Sequence, residues 1–214
     1  MINFIKKLFK EEPKENIEVR NIVYPDDLRQ GDIVKFKFCK QSEISGNTFL
    51  VDRVNTYLYN DVCYPELVLK GDNDAILYMM YEDEDGEEYV AISMKLNKSE
   101  SNNLFSGASL DEVISADLGN ETSIKENTSL PSKWLKSTYK KVDKNIQGAF
   151  IKGDARYISD QKVSQQEKFF SEVLEDRKGN YAIEIEKYGS GEIEISITVY
   201  LDLSEIDEMW PSNT

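Results

Sequence analysis

The sequence predicts a mainly β protein, with two hairpin-based antiparallel sheets forming a sandwich or a partly open barrel and a short helix at the N-terminus. Three observations predict it. In residues 181–203, Tyr181, Ile183 and Ile185 alternate with Ala182, Glu184 and Glu186, and Ile193, Ile195, Ile197, Val199, Leu201 and Leu203 alternate with mostly polar residues. A two-residue period is the signature of a strand. Between the two arms lie Tyr188, Gly189, Ser190 and Gly191, and glycine supplies the positive φ angles of a tight reversal. The second observation is a matching stretch, ILYMMYEDEDGEEYVAISMKL at 76–96, in which Val90, Ile92, Met94 and Leu96 share a face. Third, β-branched and aromatic runs at 33–38, 49–59 and 64–70 are separated by Ser45-Gly46-Asn47, Asn60-Asp61 and Gly71-Asp72-Asn73-Asp74, which are turn chemistry. A lone hairpin is marginal in water, so each oily face must cover a core supplied by other segments. The expected core is Ile33, Phe36, Phe38, Val51, Val54, Leu67, Leu69, Val90, Ile92, Ile183, Ile185, Ile193, Ile195, Ile197 and Val199. The shared hairpin pattern has two readings, convergent hairpin chemistry and an internal duplication.

In order along the chain, residues 1–10 read MINFIKKLFK. On a helical wheel Ile2, Ile5, Leu8 and Phe9 form one stripe with Phe4 at its edge, and Lys6, Lys7 and Lys10 lie largely opposite. This basic amphipathic segment suits an anionic membrane surface or an acidic partner groove; docking on its own domain is the other reading. Residues 11–19 act as a charged spacer containing Pro13. A first β unit spans 20–98. Residues 99–130 form a polar linker with a short helix, for which Ser109 is the N-cap and Glu112 completes a capping box ahead of Val113 and Ile114. Residues 120–131 are expected to be exposed. A second β unit spans 131–207, followed by a tail at 208–214. Within it, 148–153 is read as a turn, 155–158 as a strand extension and 168–174 as a strand leading into the terminal hairpin.

Composition limits the function. Forty acidic against 26 basic residues give a net charge of -14 over 214 residues, a field that repels phosphate backbones, so nucleic-acid binding is disfavoured. Histidine is absent, which removes Ser-His-Asp triads, Cys-His pairs, His-based zinc sites and histidine pH switches. Two cysteines, no apolar run of transmembrane length and no signal-peptide core predict a cytoplasmic location, with peripheral membrane contact through the N-terminus as the variant. No cofactor motif is found: Gly148 to Gly153 lacks both the Walker and the dinucleotide-binding spacing.

Three groups of residues bear on chemistry. The acidic stretch at 82–88 fails an EF-hand test, because Gly86 at the sixth position puts Tyr81 at the first ligand and Ile92 at the twelfth; a solvated hairpin tip is expected. Cys39 near Lys35, Lys37 and Lys40 is a thin case for a nucleophile, and Asp32, Asp52 and Glu66 are the carboxylates that could converge on a metal or a proton. No catalytic, metal or cofactor residue is assigned.

Gly46, FLVDRV at 49–54, YPELVL at 64–69, Leu77-Tyr78, the acidic hairpin, GNYAIEIE at 179–186 and Glu192-Ile193-Glu194 together resemble a bacterial β-rich domain family without an assigned activity. Some members are encoded beside PspA-like membrane-stress proteins. The resemblance implies a β-rich fold over residues 28–203 and a stress or defence setting, and it carries no catalytic residue. The function expected is a non-catalytic cytoplasmic module acting through a protein partner, contacted by Ile2, Phe4, Ile5, Leu8, Phe9, Lys6, Lys7 and Lys10. The alternative is a small-ligand-binding or carboxylate-based enzymatic domain. A deep cleft holding buried carboxylates would favour the alternative.

Overall fold

The structure, a computed structural model, describes residues 20–60, 62–72, 75–84, 86–125, 130–157 and 166–212. The predicted N-terminal helix lies outside the described residues. Twelve strands are present among them: β1 Ile33–Phe36, β2 Thr48–Tyr59, β3 Val62–Lys70, β4 Ile76–Glu84, β5 Glu87–Lys95, β6 Phe105–Ser106, β7 Glu121–Ile124, β8 Thr138–Ile151, β9 Glu167–Glu175, β10 Tyr181–Tyr188, β11 Ile193–Asp202 and β12 Ile206–Trp210. Two short helices, α1 Lys98–Asn102 and α2 Leu110–Ser115, stand between β5 and β7. The protein is mainly β and every strand pairing is antiparallel.

The two expected sheets are one. Strand order is β12-β1-β2-β3-β4-β5-β11-β10-β9-β8-β7-β6. The second strands of the two hairpins lie against each other, from Ser196 opposite Lys95 to Asp202 opposite Tyr89. An added contact, Thr56, Tyr57 and Leu58 of β2 against Ile151, Phe150 and Ala149 of β8, closes the eight strands from β2 to β8 into a ring. Pairing across sequence units therefore merges the sheets and favours the barrel alternative, since closure leaves fewer unpaired strand edges.

Beyond this closure, β2 and β8 part company. The first half of β2 pairs with β1, which carries β12, and the first half of β8 pairs with β7, which carries β6. These flaps and their loops meet where Gln41 Nε2 donates to the Lys133 carbonyl at 3.1 Å and Trp134 Nε1 donates to Glu43 Oε2 at 2.7 Å. The main core packs Val34, Phe36, Ile44, Leu104, Val113 and Trp134 with Leu67, Leu69, Val90, Ile92, Ile183, Ile185, Ile195, Ile197 and Val199.

Most of the expected core is buried, with three departures. Val34 and Phe36 point inward and Ile33 is half-buried. Phe38 is 90% exposed, because β1 ends at Phe36 and the alternation ends with it. Ile193 is exposed because β5 covers β11 only from Ser196 onward.

The polar linker proved to be part of the sheet. Its capping box forms as read, Ser109 Oγ accepting from Glu112 N and Glu112 Oε2 from Ser109 N at 2.7 Å. Leu104, Phe105, Val113 and Ile124 are buried, and residues 121–124, expected to be exposed, form β7 beside β8. Gly148 lies inside β8 and not in a turn. The ring of Phe169 on β9 lies where a Cβ at Gly148 would stand, 2.4 Å from Cζ, so only glycine admits it. Residues 155–157 form a 3-10 turn in place of the expected strand extension, and Ile158 lies outside the described residues.

Candidate functional site

The acidic face of the terminal hairpin is the inside of the ring. On β10 Ile183 and Ile185 join the main core, so Glu184, Glu186 and Tyr188 project to the other side. The same alternation sends Glu194, Ser196, Thr198 and Tyr200 of β11, Ser93 and Lys95 of β5, Tyr78 and Met80 of β4, Glu66 of β3, and Asn55, Tyr57 and Tyr59 of β2 to that side. Six strands contribute to the lining of a single cavity of about 40 Å³ that includes Tyr57, Glu66, Tyr78, Ser93, Glu184 and Glu186. Side chains on the outside of a ring diverge and could not do this. Tyr57 of β2 also donates to Glu186 Oε2 of β10 at 3.2 Å, although these strands are not neighbours.

Within this interior the carboxylates are tied to neutral donors. Glu186 Oε2 also accepts from the Tyr188 hydroxyl at 2.5 Å, Glu66 Oε2 from Asn55 Nδ2 at 2.7 Å, and Glu184 Oε1 from Thr198 Oγ1 at 2.8 Å. A second aromatic cluster, Tyr57, Phe169 and Tyr188 with Tyr59, Tyr64, Met80 and Phe150, closes the β2–β8 side. Lys95 Nζ pairs with Glu194 Oε2 at 2.6 Å and lies 4.7 Å from the centre of the Tyr78 ring.

Four carboxylates thus surround one ammonium, and the imbalance shows in their proton affinities. Burial raises the Glu66, Glu184 and Glu186 carboxyls, and Glu186, further raised by the neighbouring Glu184 and Glu66 charges, is pushed up to about 7. Burial alone would lower Lys95, but Glu66, Glu194 and Glu186 outweigh it and hold the ammonium charged. Desolvation and the adjacent carboxylates keep the Tyr57, Tyr59 and Tyr188 hydroxyls protonated, hence donors. At neutral pH the interior shares its charge between protons and Lys95.

The interior is continuous with a larger cleft of about 760 Å³, since Tyr59, Met80, Glu82 and Glu184 line both. The cleft sits where the β4–β5 and β9–β10 hairpins turn. Its apolar surface comes from Tyr59, Met80, Tyr89, Val173, Tyr200 and Leu201, with Tyr89 and Tyr200 edge-to-face at 5.4 Å. Around this surface stand Glu82, Glu87, Glu88, Asp143, Glu175, Glu184 and Asp202, and Lys178 is the cation among the lining residues.

The residues singled out in the sequence fare differently. Ile2, Phe4, Ile5, Lys6, Lys7, Leu8, Phe9 and Lys10 lie outside the described residues. Asp32, Asp52 and Glu66 do not converge. Asp32 is buried and ties the two ends of the described chain together, accepting from Arg29 N at 2.7 Å and Ser212 N at 2.8 Å and pairing with Arg20. Asp52 pairs at the surface with Arg53, and Glu66 belongs to the ring interior. Burial pushes the Cys39 thiol up, against the lowered value a nucleophile needs, and Lys35 pairs instead with Asp207. Among the described residues no group of Asp, Glu and Cys has the geometry of a metal site, and no helix is long and apolar enough to cross a membrane.

Sequence reasoning missed Glu184, Glu186, Lys95 and the tyrosines as a unit. The sequence shows only that Glu184, Glu186 and Tyr188 share one face of a strand; that this face is buried is seen in the structure. A second buried pair, Lys141 with Glu172, was also missed. Lys141 Nζ caps the C-terminal end of α2 by donating to the carbonyls of Ile114 at 2.7 Å and Ala116 at 3.2 Å, while Glu172 Oε1 accepts from Asn145 N at 3.1 Å. Comparisons with family models, with curated proteins and with solved structures yield no match.

Proposed function

We propose that this chain is a non-catalytic binding module whose acidic, aromatic-floored cleft takes a basic amphipathic segment of a protein partner. One observation carries the reading: an apolar floor of tyrosine, methionine, valine and leucine is bordered by seven carboxylates and one lysine. Apolar contact there supplies affinity, and the surrounding charge selects lysine or arginine and raises the association rate. The ring interior supports a structural role for its carboxylates. Glu186 Oε2 already accepts from two tyrosines, and a cavity of about 40 Å³ has room for little more than a water molecule. That favours binding over turnover by the buried acids. The bacterial stress or defence setting follows from the family resemblance alone, and the cytoplasmic site of action from the cysteine usage and the sequence's lack of an apolar run of transmembrane length; both are part of the proposal.

The test is a titration of a fluorescent synthetic helix carrying lysines on one face and leucines on the other. Binding should weaken with salt, as screening requires, and by at least tenfold in the Glu87→Lys/Glu88→Lys variant, whose changes are at exposed positions. Equal binding by both proteins, or none by the wild type, would refute the reading.

A further inference from the structure

We infer that the outer face of β9 and β10 carries a second binding site, a groove that takes one molecule of an anionic amphiphile: a carboxylate with a single hydrocarbon tail. Strand alternation builds the groove. Ile185 faces the main core, so Lys187, two residues on, faces the same way, and the register sets Glu172 beside Ile185 and Phe170 beside Lys187. Beyond them the Gly189 amide donates to the Lys168 carbonyl at 3.0 Å, which places Lys168 at the tip. Ile114 of α2 and Asn145 of β8 wall the groove, and the space enclosed is about 450 Å³, within the range that small-molecule sites occupy.

The groove is graded along its length. At the inner end Ile185 and Glu172 are buried, whereas in the outer half Phe170 is 49% exposed and Lys168 and Lys187 stand in solvent. From Ile185 to Gly189 the strand runs about 13 Å, at about 3.3 Å per residue, the length of a medium-chain hydrocarbon tail.

The inner end offers a ligand no free polar partner. Both oxygens of Glu172 are engaged, Oε1 by Asn145 N at 3.1 Å and Oε2 by the Lys141 ammonium. That ammonium has three hydrogens, and the carbonyls of Ile114 and Ala116 take the other two. A charged head group placed there would lose its hydration and find nothing to replace it, so the tail enters and the head stays at the mouth. The outer end supplies the complement. Lys168 and Lys187 are the cations among the lining residues and the paired Glu172 is the acid. Among the described residues neither lysine makes a side-chain hydrogen bond or ion pair. In a chain whose net charge is -14, two unengaged ammonium groups beside an exposed aromatic ring select an anionic head on an apolar body. The groove shares no lining residue with the cleft of about 760 Å³, so the two sites are tested separately.

Calorimetric titration of the full chain with decanoate tests the inference. One decanoate per chain is expected, bound about tenfold more tightly than octanoate, since each fully buried methylene is worth about fourfold in affinity. Decanol, which keeps the tail and lacks the charge, should bind at least tenfold more weakly than decanoate. Decanoate should lose at least as much on the Lys168→Glu/Lys187→Glu variant, whose changes are at exposed positions. In nitrogen-15 spectra decanoate should shift the amides of Phe170, Lys187 and Gly189 and leave those of Met80 and Leu201 in the cleft unmoved. Phosphatidylglycerol vesicles separate two sources of the amphiphile: the same amides shift with decanoate alone if the free acid is taken, and with vesicles as well if an acyl chain is drawn from a bilayer. Absence of saturable decanoate binding, equal binding of decanol, indifference to the charge reversal, or shifts centred on the cleft would overturn the inference.

Discussion

Replacing Glu186 with glutamine should reduce, by the share of this one carboxyl, a fall in stability that the wild type shows between pH 5 and pH 8. Glu186 is buried, accepts from Tyr57 and Tyr188, and has its carboxyl raised from 4.5 to about 7, first by desolvation and then by the charges of Glu184 and Glu66. Between those two values the folded protein binds more protons than the unfolded chain, so the stability contribution is fully present below about 4.5 and is lost as pH rises through about 7. The interval corresponds to about 3 kcal/mol at roughly 1.4 kcal/mol per pH unit. Glu66 and Glu184 are raised as well and act with the same sign. Glutamine keeps an oxygen that can accept both tyrosine hydroxyls and does not titrate. Urea unfolding of the two proteins should therefore give similar stabilities at pH 5 and a more stable variant at pH 8, by about 1 to 3 kcal/mol. A wild-type stability that is flat or rises from pH 5 to 8 would refute the account of the ring interior, as would a variant that retains the whole of the wild-type slope.

Two further expectations concern the frame around the interior. Lys141→Met removes the buried partner of Glu172 and the cap on the α2 carbonyls; by leaving a buried carboxylate uncompensated it should cost about 3–5 kcal/mol in chemical denaturation. The double change Lys141→Met with Glu172→Gln should recover much of that loss, and failure to recover any would mean that packing, and not charge, dominates the site. Gly148→Ala places a Cβ against the Phe169 ring and should lower stability by about 1–3 kcal/mol, an effect that Phe169→Leu should partly relieve when both are measured by thermal unfolding in a two-by-two cycle.

Much of this protein follows from local pattern. Strict alternation determined β10 and β11, with seven register pairs from Tyr181 opposite Val199 to Lys187 opposite Ile193, because a strand with one oily face admits no slip by a single residue. The Ser109–Glu112 capping box set the start of α2 by itself, since all of its partners lie within three residues. Tertiary structure alone decided which side of each strand is inside a ring. A two-residue period separates apolar from polar faces, but a polar face reads the same whether it meets water or a closed interior. The contact of Thr56, Tyr57 and Leu58 with Ile151, Phe150 and Ala149 joins segments far apart in sequence and has no local signature. It is this contact that turns Glu66, Glu184 and Glu186 from surface charge into a buried, partly protonated network. The short strands β6, β7 and β12 were illegible for the same reason: two to five residues carry too little period, and each exists because a neighbouring strand offered an unpaired edge.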